Sequence, residues 1–292
     1  LFILLLMFDL GLEHKKPAYF VGVVASRYIL KKFLGDYIAS GYVDVALAFF
    51  TFLTVYTLLK AMAIDDSHQK INYLGLGFIF AAGTALTKQN GLLVFALYPL
   101  LAYFLILKNF SNMNSQQRLI ILTKWFILSL IIILPWYAFN EYRIFQGAVE
   151  TNVSYLLGDR HDNRNLIERF TRAVGMLEKY AFLYPLILLT LPFLESTMIW
   201  VILTLLLPYS LIWALAFSTF PRNLSIALPI LGLATGFGVQ KMIEFGSKII
   251  KNLRIGKLRL YFGFVLLLFS ALAAGLFISD ETLLQKQEEQ QK

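Results

Sequence analysis

Long apolar runs separated by short polar segments extend over most of this sequence, and they limit the folds that it can adopt. Several approach the roughly 20 consecutive apolar residues that an α-helix needs to cross a bilayer. With short loops between them, the chain has room for about ten such helices. The sequence therefore predicts an all-α, polytopic transmembrane bundle. The runs cover residues 1–12, 17–30, 42–59, 73–87, 91–107, 119–139, 180–194, 198–217, 224–239 and 260–278.

The composition excludes other classes of protein. Hydrophobic residues make up 58% of the chain and charged residues 15%, and the mean hydropathy is +0.67. A soluble domain has roughly 45–50% apolar and about 25% charged residues, so a water-soluble fold and a disordered chain are both excluded. The chain has no cysteine, which excludes disulfides, thiolate catalysis and cysteine-bound zinc.

The formal net charge of +8 fits basic cytoplasmic loops and contact with anionic lipids better than binding of nucleic acid. Lys and Arg are denser in one set of loops, which we expect to face the cytoplasm: residues 13–16, 60–72, 108–118 and 241–259. The opposite set is then extracytoplasmic: residues 31–40, 88–90, 141–179, 219–222 and 280–292. The expected location is the cell membrane, as a multi-pass protein of a bacterial inner membrane.

Two regions depart from the apolar pattern. Residues 140–179 mix both signs of charge with apolar positions, which predicts one long extracytoplasmic loop that contains short amphipathic helices. The Gln- and Glu-rich segment 280–292 is expected to be a solvated tail, so residues 1–279 form the transmembrane domain. The chain begins at Leu1 inside an apolar run, without the positive start of a signal peptide, and we expect an N-terminal part to be missing.

Motifs of nucleotide-binding proteins are absent from the sequence. There is no phosphate loop of the form G-x-x-x-x-G-K-[ST] and no complete dinucleotide fingerprint. Three histidines argue against a His-based metal cage. Within Asp159-Arg160-His161-Asp162, the side chains of His161 and Asp162 are weak candidates for contact with a metal or a pyrophosphate, and a solvated charged turn is the competing interpretation. No cofactor is predicted, and a divalent metal stays open.

Three charged residues beside apolar runs are candidates for a site. Asp44 would lie in a first helical turn, either stabilised by the helix dipole, worth about 0.3–1 kcal/mol, or meeting a cation or a sugar. Lys88 lies in the turn Thr87-Lys88-Gln89-Asn90-Gly91, either as a snorkelling side chain or as a phosphate contact. Arg222 lies in a long apolar region, either as an interfacial anchor or as a bidentate phosphate ligand.

Four segments, in this order, resemble the GT-C integral-membrane glycosyltransferases that use polyprenyl-phosphate sugars, in particular the aminoarabinose transferases of lipid A and the protein O-mannosyltransferases. Arg222 is followed by Asn223 where that family usually has Tyr. The four segments begin at Gly41-Tyr42-Val43-Asp44, at Gly83-Thr84-Ala85-Leu86-Thr87-Lys88, at Leu134-Pro135-Trp136-Tyr137 and at Pro221-Arg222-Asn223-Leu224.

The resemblance implies transfer of a sugar from a polyprenyl-phosphate donor to a cell-envelope acceptor (a lipid, a glycan or a protein) by inverting displacement at the outer face. Lys88 and Arg222 would neutralise the charge that grows on the lipid phosphate, with Tyr42 a further candidate for contact with the phosphate or the sugar. Asp44 would be a supporting acid. The resemblance places the catalytic base in a first outer loop, which we expect to precede Leu1.

Two other functions remain open on the sequence. A multi-span transporter or flippase would also have many helices and charges within the membrane, although no inverted repeat is visible. A polymerase or ligase of surface polysaccharide would perform related chemistry on another fold. The sequence predicts no oligomeric state and names neither the sugar nor the acceptor.

Overall fold

The structure is a computed structural model. It describes residues 1–13, 20, 23–24, 27, 30–31, 43–107, 110, 113–146, 165–178, 190–217 and 221–252. Most of these residues are helical and none lies in a strand, so the all-α prediction is confirmed for them. The apolar runs at residues 17–30, 180–194 and 260–278 lie wholly or largely outside the described residues, and the predicted number of ten helices is not confirmed.

Each of the other apolar runs forms one helix or several consecutive helical segments. Prolines lie close to two π-helical turns, Ala102–Ile106 after Pro99 and Ile202–Leu206 before Pro208, as expected because proline removes a donor from the helical ladder. The α-helices are α1 (Phe2–Glu13), α2 (Asp44–Ala63), α3 (Ser67–Thr87), α4 (Gly91–Leu101), α5 (Ser115–Phe145), α6 (Leu166–Glu178), α7 (Ser196–Val201), α8 (Leu207–Ile212) and α9 (Ala227–Asn252). A further π-helical turn, Trp213–Phe217, follows α8, and Leu191–Phe193 and Pro221–Ile226 are 3₁₀-helices.

Four helical stretches of the described chain are long and apolar enough to cross a membrane. The stretch 223–246 is mostly buried inside the bundle, whereas 115–143 is mostly exposed and contributes an outer, lipid-facing helix. The segment Gly91–Ile106 is apolar but shorter. The four stretches are Asp44–Ala63, Ser115–Arg143, Ser196–Leu215 and Asn223–Gly246.

Helices α2, α3 and α4 pack against one another and are joined by short turns. Asp66 caps the start of α3, where its side chain accepts from the backbone N–H groups of His68 and Gln69. Because the connections are short, each helix runs opposite to the one before it. The start of α2, the end of α3 and the start of α4 therefore lie at one end of the bundle.

Close approach between these helices depends on small residues of α3. A Cβ atom added at Gly75 would lie 2.3 Å from the ring of Trp125 on α5, and one added at Gly77 would lie 1.8 Å from the hydroxyl of Tyr98 on α4. Small residues let helix axes approach closely in membranes, where the hydrophobic effect does not drive helices together. The hydroxyls of Thr51, Thr54 and Thr57 in α2 donate to carbonyl oxygens of the preceding turn and so remain satisfied in this apolar core.

The opposite end of the bundle is held by ion pairs. The ammonium of Lys60 on α2 lies 2.8 Å from Asp9 and 2.6 Å from Glu13 of α1, and the Tyr56 hydroxyl donates to Asp9 over 2.7 Å. Asp9, for which the sequence names no partner, is thus neutralised by Lys60. At this level Lys241 pairs with Glu195, the residue before α7, over 2.8 Å.

The helices extend further into polar sequence than predicted. The predicted loop 60–72 shrinks to three residues between Ala63 and Ser67, and α9 continues through Lys241 to Asn252. Helical ends can leave the apolar layer while their polar side chains remain hydrated or paired, as Lys60 and Lys241 are. Apolar runs therefore mark membrane-embedded segments but not where helices end.

Candidate functional site

Asp44 is the first residue of α2, and its side chain is only 1% exposed. At a helix N-terminus its negative charge interacts favourably with the helix dipole, which is one of the two roles that the sequence suggested for it. Burial adds a stronger requirement, since a buried carboxylate needs a partner of opposite charge. That partner is Lys88, whose ammonium lies 2.7 Å from Oδ1 of Asp44.

Lys88 ends α3 and reaches across the bundle end. Its backbone N–H donates to the Thr84 carbonyl oxygen over 3.2 Å, which fixes the residue at the helix terminus. Its ammonium donates to Asp44 and, over 3.0 Å, to the side-chain oxygen of Asn223. The side chain of Lys88 remains 28% exposed. The bond between Lys88 and Asn223 thus joins residues that are 135 apart in sequence.

The turn between α3 and α4 requires glycine at position 91. A Cβ atom there would lie 2.0 Å from the carbonyl oxygen of Thr84, which belongs to the rigid backbone of α3. The Thr84 hydroxyl is buried and lies 3.0 Å from the carbonyl oxygen of Gly91, to which it donates across the turn. The glycine therefore sets the close approach of α3 and α4 that holds Lys88 in place.

Tyr209 on α8 contacts two turns beside Asp44, the one that contains Lys88 and Asn90 and the one that contains Asn223. Its buried hydroxyl donates to the backbone carbonyl oxygen of Asn223, and the Asn90 side chain interacts with the same hydroxyl. Asn90 directly precedes α4, two residues after Lys88. Tyr209 thereby fixes the separation between the turn that contains Lys88 and the turn that contains Asn223.

The third sequence segment also reaches this end of the bundle. The hydroxyl of Tyr137, within Leu134-Pro135-Trp136-Tyr137, donates to the carbonyl oxygen of Ala85 over 2.9 Å. Ala85 lies one turn before Lys88 on α3. Residues from all four segments therefore meet within hydrogen-bonding distance of one another, directly or through α3.

Not every candidate from the sequence can be placed. Asp44 and Lys88 are in contact, and the backbone of Arg222 lies in the 3₁₀-helix Pro221–Ile226, next to Asn223. The side chain of Arg222 lies outside what the structure describes, as do Tyr42, His161 and Asp162 entirely. Among the described residues no cluster of three or more His, Cys, Asp or Glu could hold a metal ion.

Sequence reasoning missed Asn223, Asn90 and Tyr209. Asn223 stood out only as a departure from the family pattern, yet its side chain binds Lys88. Tyr209 lies within an apolar run, where a buried phenol hydroxyl needs a hydrogen-bond partner. This requirement was the only feature of the sequence that could have pointed to Tyr209. The identity of that partner depends on how α8 packs.

Residues 21–146 match the family of dolichyl-phosphate-mannose-protein mannosyltransferases. This match confirms the resemblance to GT-C glycosyltransferases. No curated protein and no solved structure matches the chain significantly.

The match supports a membrane glycosyltransferase that uses a polyprenyl-phosphate sugar as donor. It includes Asp44, Lys88 and Tyr137 but ends before Tyr209 and Asn223. The bond between Asn223 and Lys88 connects this later part of the chain to the matched residues 21–146. The match favours a transferase over the transporter that the sequence left open.

Proposed function

We propose that this protein transfers one sugar from a polyprenyl-phosphate donor to a cell-envelope acceptor at the outer face of a bacterial plasma membrane that it crosses several times. The observation that carries the proposal is the contact of Lys88 with both Asp44 and Asn223. It joins two of the three charged residues that the sequence singles out, Asp44 and Lys88, to Asn223, the neighbour of Arg222. A lipid-linked donor reaches such a place by lateral diffusion, with its phosphate at the membrane surface.

Lys88 supplies a positive charge for the donor phosphate. An ammonium has three N–H donors, and the contacts seen among the described residues use two of them, with Asp44 and Asn223. Its exposure of 28% leaves the group accessible from outside the bundle. We infer that the remaining N–H donates to a phosphate oxygen and stabilises the negative charge that grows when the sugar–phosphate bond breaks.

Asp44 acts as a positioning residue for Lys88. A carboxylate that is 1% exposed and paired at 2.7 Å cannot approach an acceptor hydroxyl, because a general base must come within about 2.6–3.2 Å of the group that it deprotonates. The pair holds the ammonium in one place before the donor arrives. Such preorganisation lowers the cost of charge stabilisation in the transition state.

Arg222 is the second cation of the proposed phosphate site. Its backbone is adjacent to Asn223, which is bonded to Lys88, so the two basic residues belong to neighbouring turns. A guanidinium can bind two phosphate oxygens at once, whereas an ammonium acts as a single compact charge. A separate carboxylate then deprotonates the acceptor hydroxyl, whose oxygen attacks the anomeric carbon with inversion while the polyprenyl phosphate leaves.

Transfer from a radiolabelled polyprenyl-phosphate sugar by membranes that contain the full-length protein tests this proposal. Lys88→Gln and Arg222→Ala should each lower transfer at least tenfold, and Arg222→Lys less than Arg222→Ala. Lys124→Gln, which removes an exposed lysine of α5, is the matched control and should leave transfer unchanged. Normal transfer in both Lys88→Gln and Arg222→Ala would overturn the assignment of the phosphate site.

A further inference from the structure

Helix α6 has an exposed apolar face that the glycosyltransferase site does not use. Four large apolar side chains on it are between 47% and 78% exposed. Their spacing of three and four residues places them along one side of an α-helix. These side chains, which we call the α6 apolar face, are Leu166, Ile167, Phe170 and Val174.

The other sides of α6 are polar or packed. Ala173 is buried against the protein, and the guanidinium of Arg169 donates to the carbonyl oxygen of Leu215 over 3.2 Å. At the start of the helix Asn165 and Glu168 cap each other, with the backbone N–H of each bonded to the side chain of the other. These contacts fix the rotation of α6 and leave its apolar face pointing away from the bundle.

The packing of α6 sets its height relative to the membrane. It packs against the turn Trp213–Phe217, and Leu215 is the last residue of the membrane-crossing stretch Ser196–Leu215. A helix of 13 residues is about 20 Å long, so α6 is much longer than the single turn Trp213–Phe217 that it packs against. We conclude that α6 crosses the end of this stretch instead of extending it.

A second helix places the membrane boundary at the same end of the bundle. The exposed aromatic side chains of Trp136 and Tyr142 lie near the end of the stretch Ser115–Arg143, as is typical of residues at a membrane interface. Tyr137, between them, is bonded to α3 beside Lys88. The turn Trp213–Phe217 contacts the 3₁₀-helix with Asn223, the other partner of Lys88. Both boundaries therefore lie at the level of the candidate site.

We propose that α6 lies in the membrane interface, with its apolar face buried in the lipid at the boundary between headgroups and acyl chains. The lipid-exposed side chains Leu203, Leu211 and Ile212 belong to the same crossing stretch that α6 packs against, so the α6 apolar face continues an existing lipid-facing surface. Amphipathic helices bind bilayers through such a face while their polar side stays in water. The occupant of this face is the bilayer, not a second protein.

Site-directed spin labelling of the full chain in lipid nanodiscs tests the proposal, and the absence of native cysteine makes single labels unambiguous. Ile167→Cys, Phe170→Cys and Val174→Cys place labels on the α6 apolar face. Thr171→Cys and Gly175→Cys are matched controls on the polar side of the same helix, where a Cβ atom at Gly175 meets nothing within 4 Å. Each label is probed for collision with oxygen, which concentrates in lipid, and with a water-soluble nickel chelate.

The three face labels should collide more with oxygen than with the nickel chelate, and the two control labels should show the reverse order. Nickel access at the face equal to that at Thr171→Cys would overturn the proposal in favour of a hydrated surface. Low access to both reagents would overturn it in favour of a protein partner or a second copy of the chain. Quenching of a bimane fluorophore at Phe170→Cys by brominated lipids gives an independent second reading.

Discussion

The carboxylate of Asp44 lies 2.7 Å from the ammonium of Lys88, and the carboxylate is almost completely buried. This pair joins the start of α2 to the end of α3, and a third side chain, that of Asn223, bonds to the same ammonium. Removing one member of a buried ion pair typically costs about 3–5 kcal/mol, because the other charge stays buried without compensation. The pair is thus part of the stability of this bundle end as well as of the proposed site.

Stability and function of this pair can be separated with a double variant. Lys88→Met should lower the free energy of unfolding by several kcal/mol, since it leaves Asp44 uncompensated, and Asp44→Asn in addition should recover most of that loss. The double variant should still transfer no sugar, because the positive charge for the phosphate is gone. Thermal unfolding in detergent and the transfer assay measure the two effects. Transfer by a stable double variant would show that Lys88 serves only to neutralise Asp44.

Tyr209→Phe removes the hydroxyl that connects Asn223 with Asn90 and keeps the buried ring. We expect a loss of about 0.5–1.5 kcal/mol in the free energy of unfolding, as for one hydrogen bond, together with a higher KM for the lipid-linked donor. The matched control is Tyr98→Phe, which also loses a hydroxyl bonded to a backbone carbonyl, that of Leu74, away from the site. Both variants should lose similar stability, but only Tyr209→Phe should change KM. Equal KM values would make Tyr209 purely structural.

Gly91→Ala should disturb the turn that holds Lys88, since the added Cβ atom would lie 2.0 Å from the Thr84 carbonyl oxygen. We expect a lower melting temperature and reduced transfer. Gly175→Ala, in the open middle of α6, is the contrasting substitution. With nothing near its Cβ atom, it should leave transfer intact and stabilise the helix by up to about 1 kcal/mol. A Gly91→Ala variant with unchanged melting temperature would contradict the close approach of α3 and α4.

Topology is a prediction of the basic residues and can be measured directly. Ser154→Cys lies in the predicted extracytoplasmic loop, and Ser247→Cys lies near the C-terminal end of α9. In intact cells a membrane-impermeant thiol reagent should label only Ser154→Cys, and Ser247→Cys should react after the cells are opened. Labelling of Ser247→Cys alone in intact cells would invert the orientation and place the Lys88 site on the cytoplasmic side.

The sequence by itself determined the class of protein and the residues most worth testing. Apolar runs and low charge require a membrane-embedded helical chain. A helix pairs its own backbone N–H and C=O groups, whereas irregular structure would leave them unpaired in lipid at a high cost in free energy. Charged residues within such a chain are few, so Asp44, Lys88 and Arg222 stood out without any structure. The mixed residues of 140–179 also predicted amphipathic helices, and α6 is one such helix, while the long extracytoplasmic loop stays a prediction.

Only the tertiary structure decided which of these residues meet. Periodicity gives the face and length of each helix but not the rotation and neighbours of that helix, which depend on close packing at positions such as Gly75, Gly77 and Gly91. The contacts of Lys88 with Asp44 and Asn223, and of Tyr209 with Asn223, join residues far apart in sequence, so no local pattern encodes them. The exposed direction of the α6 apolar face likewise depends on the bond between Arg169 and Leu215.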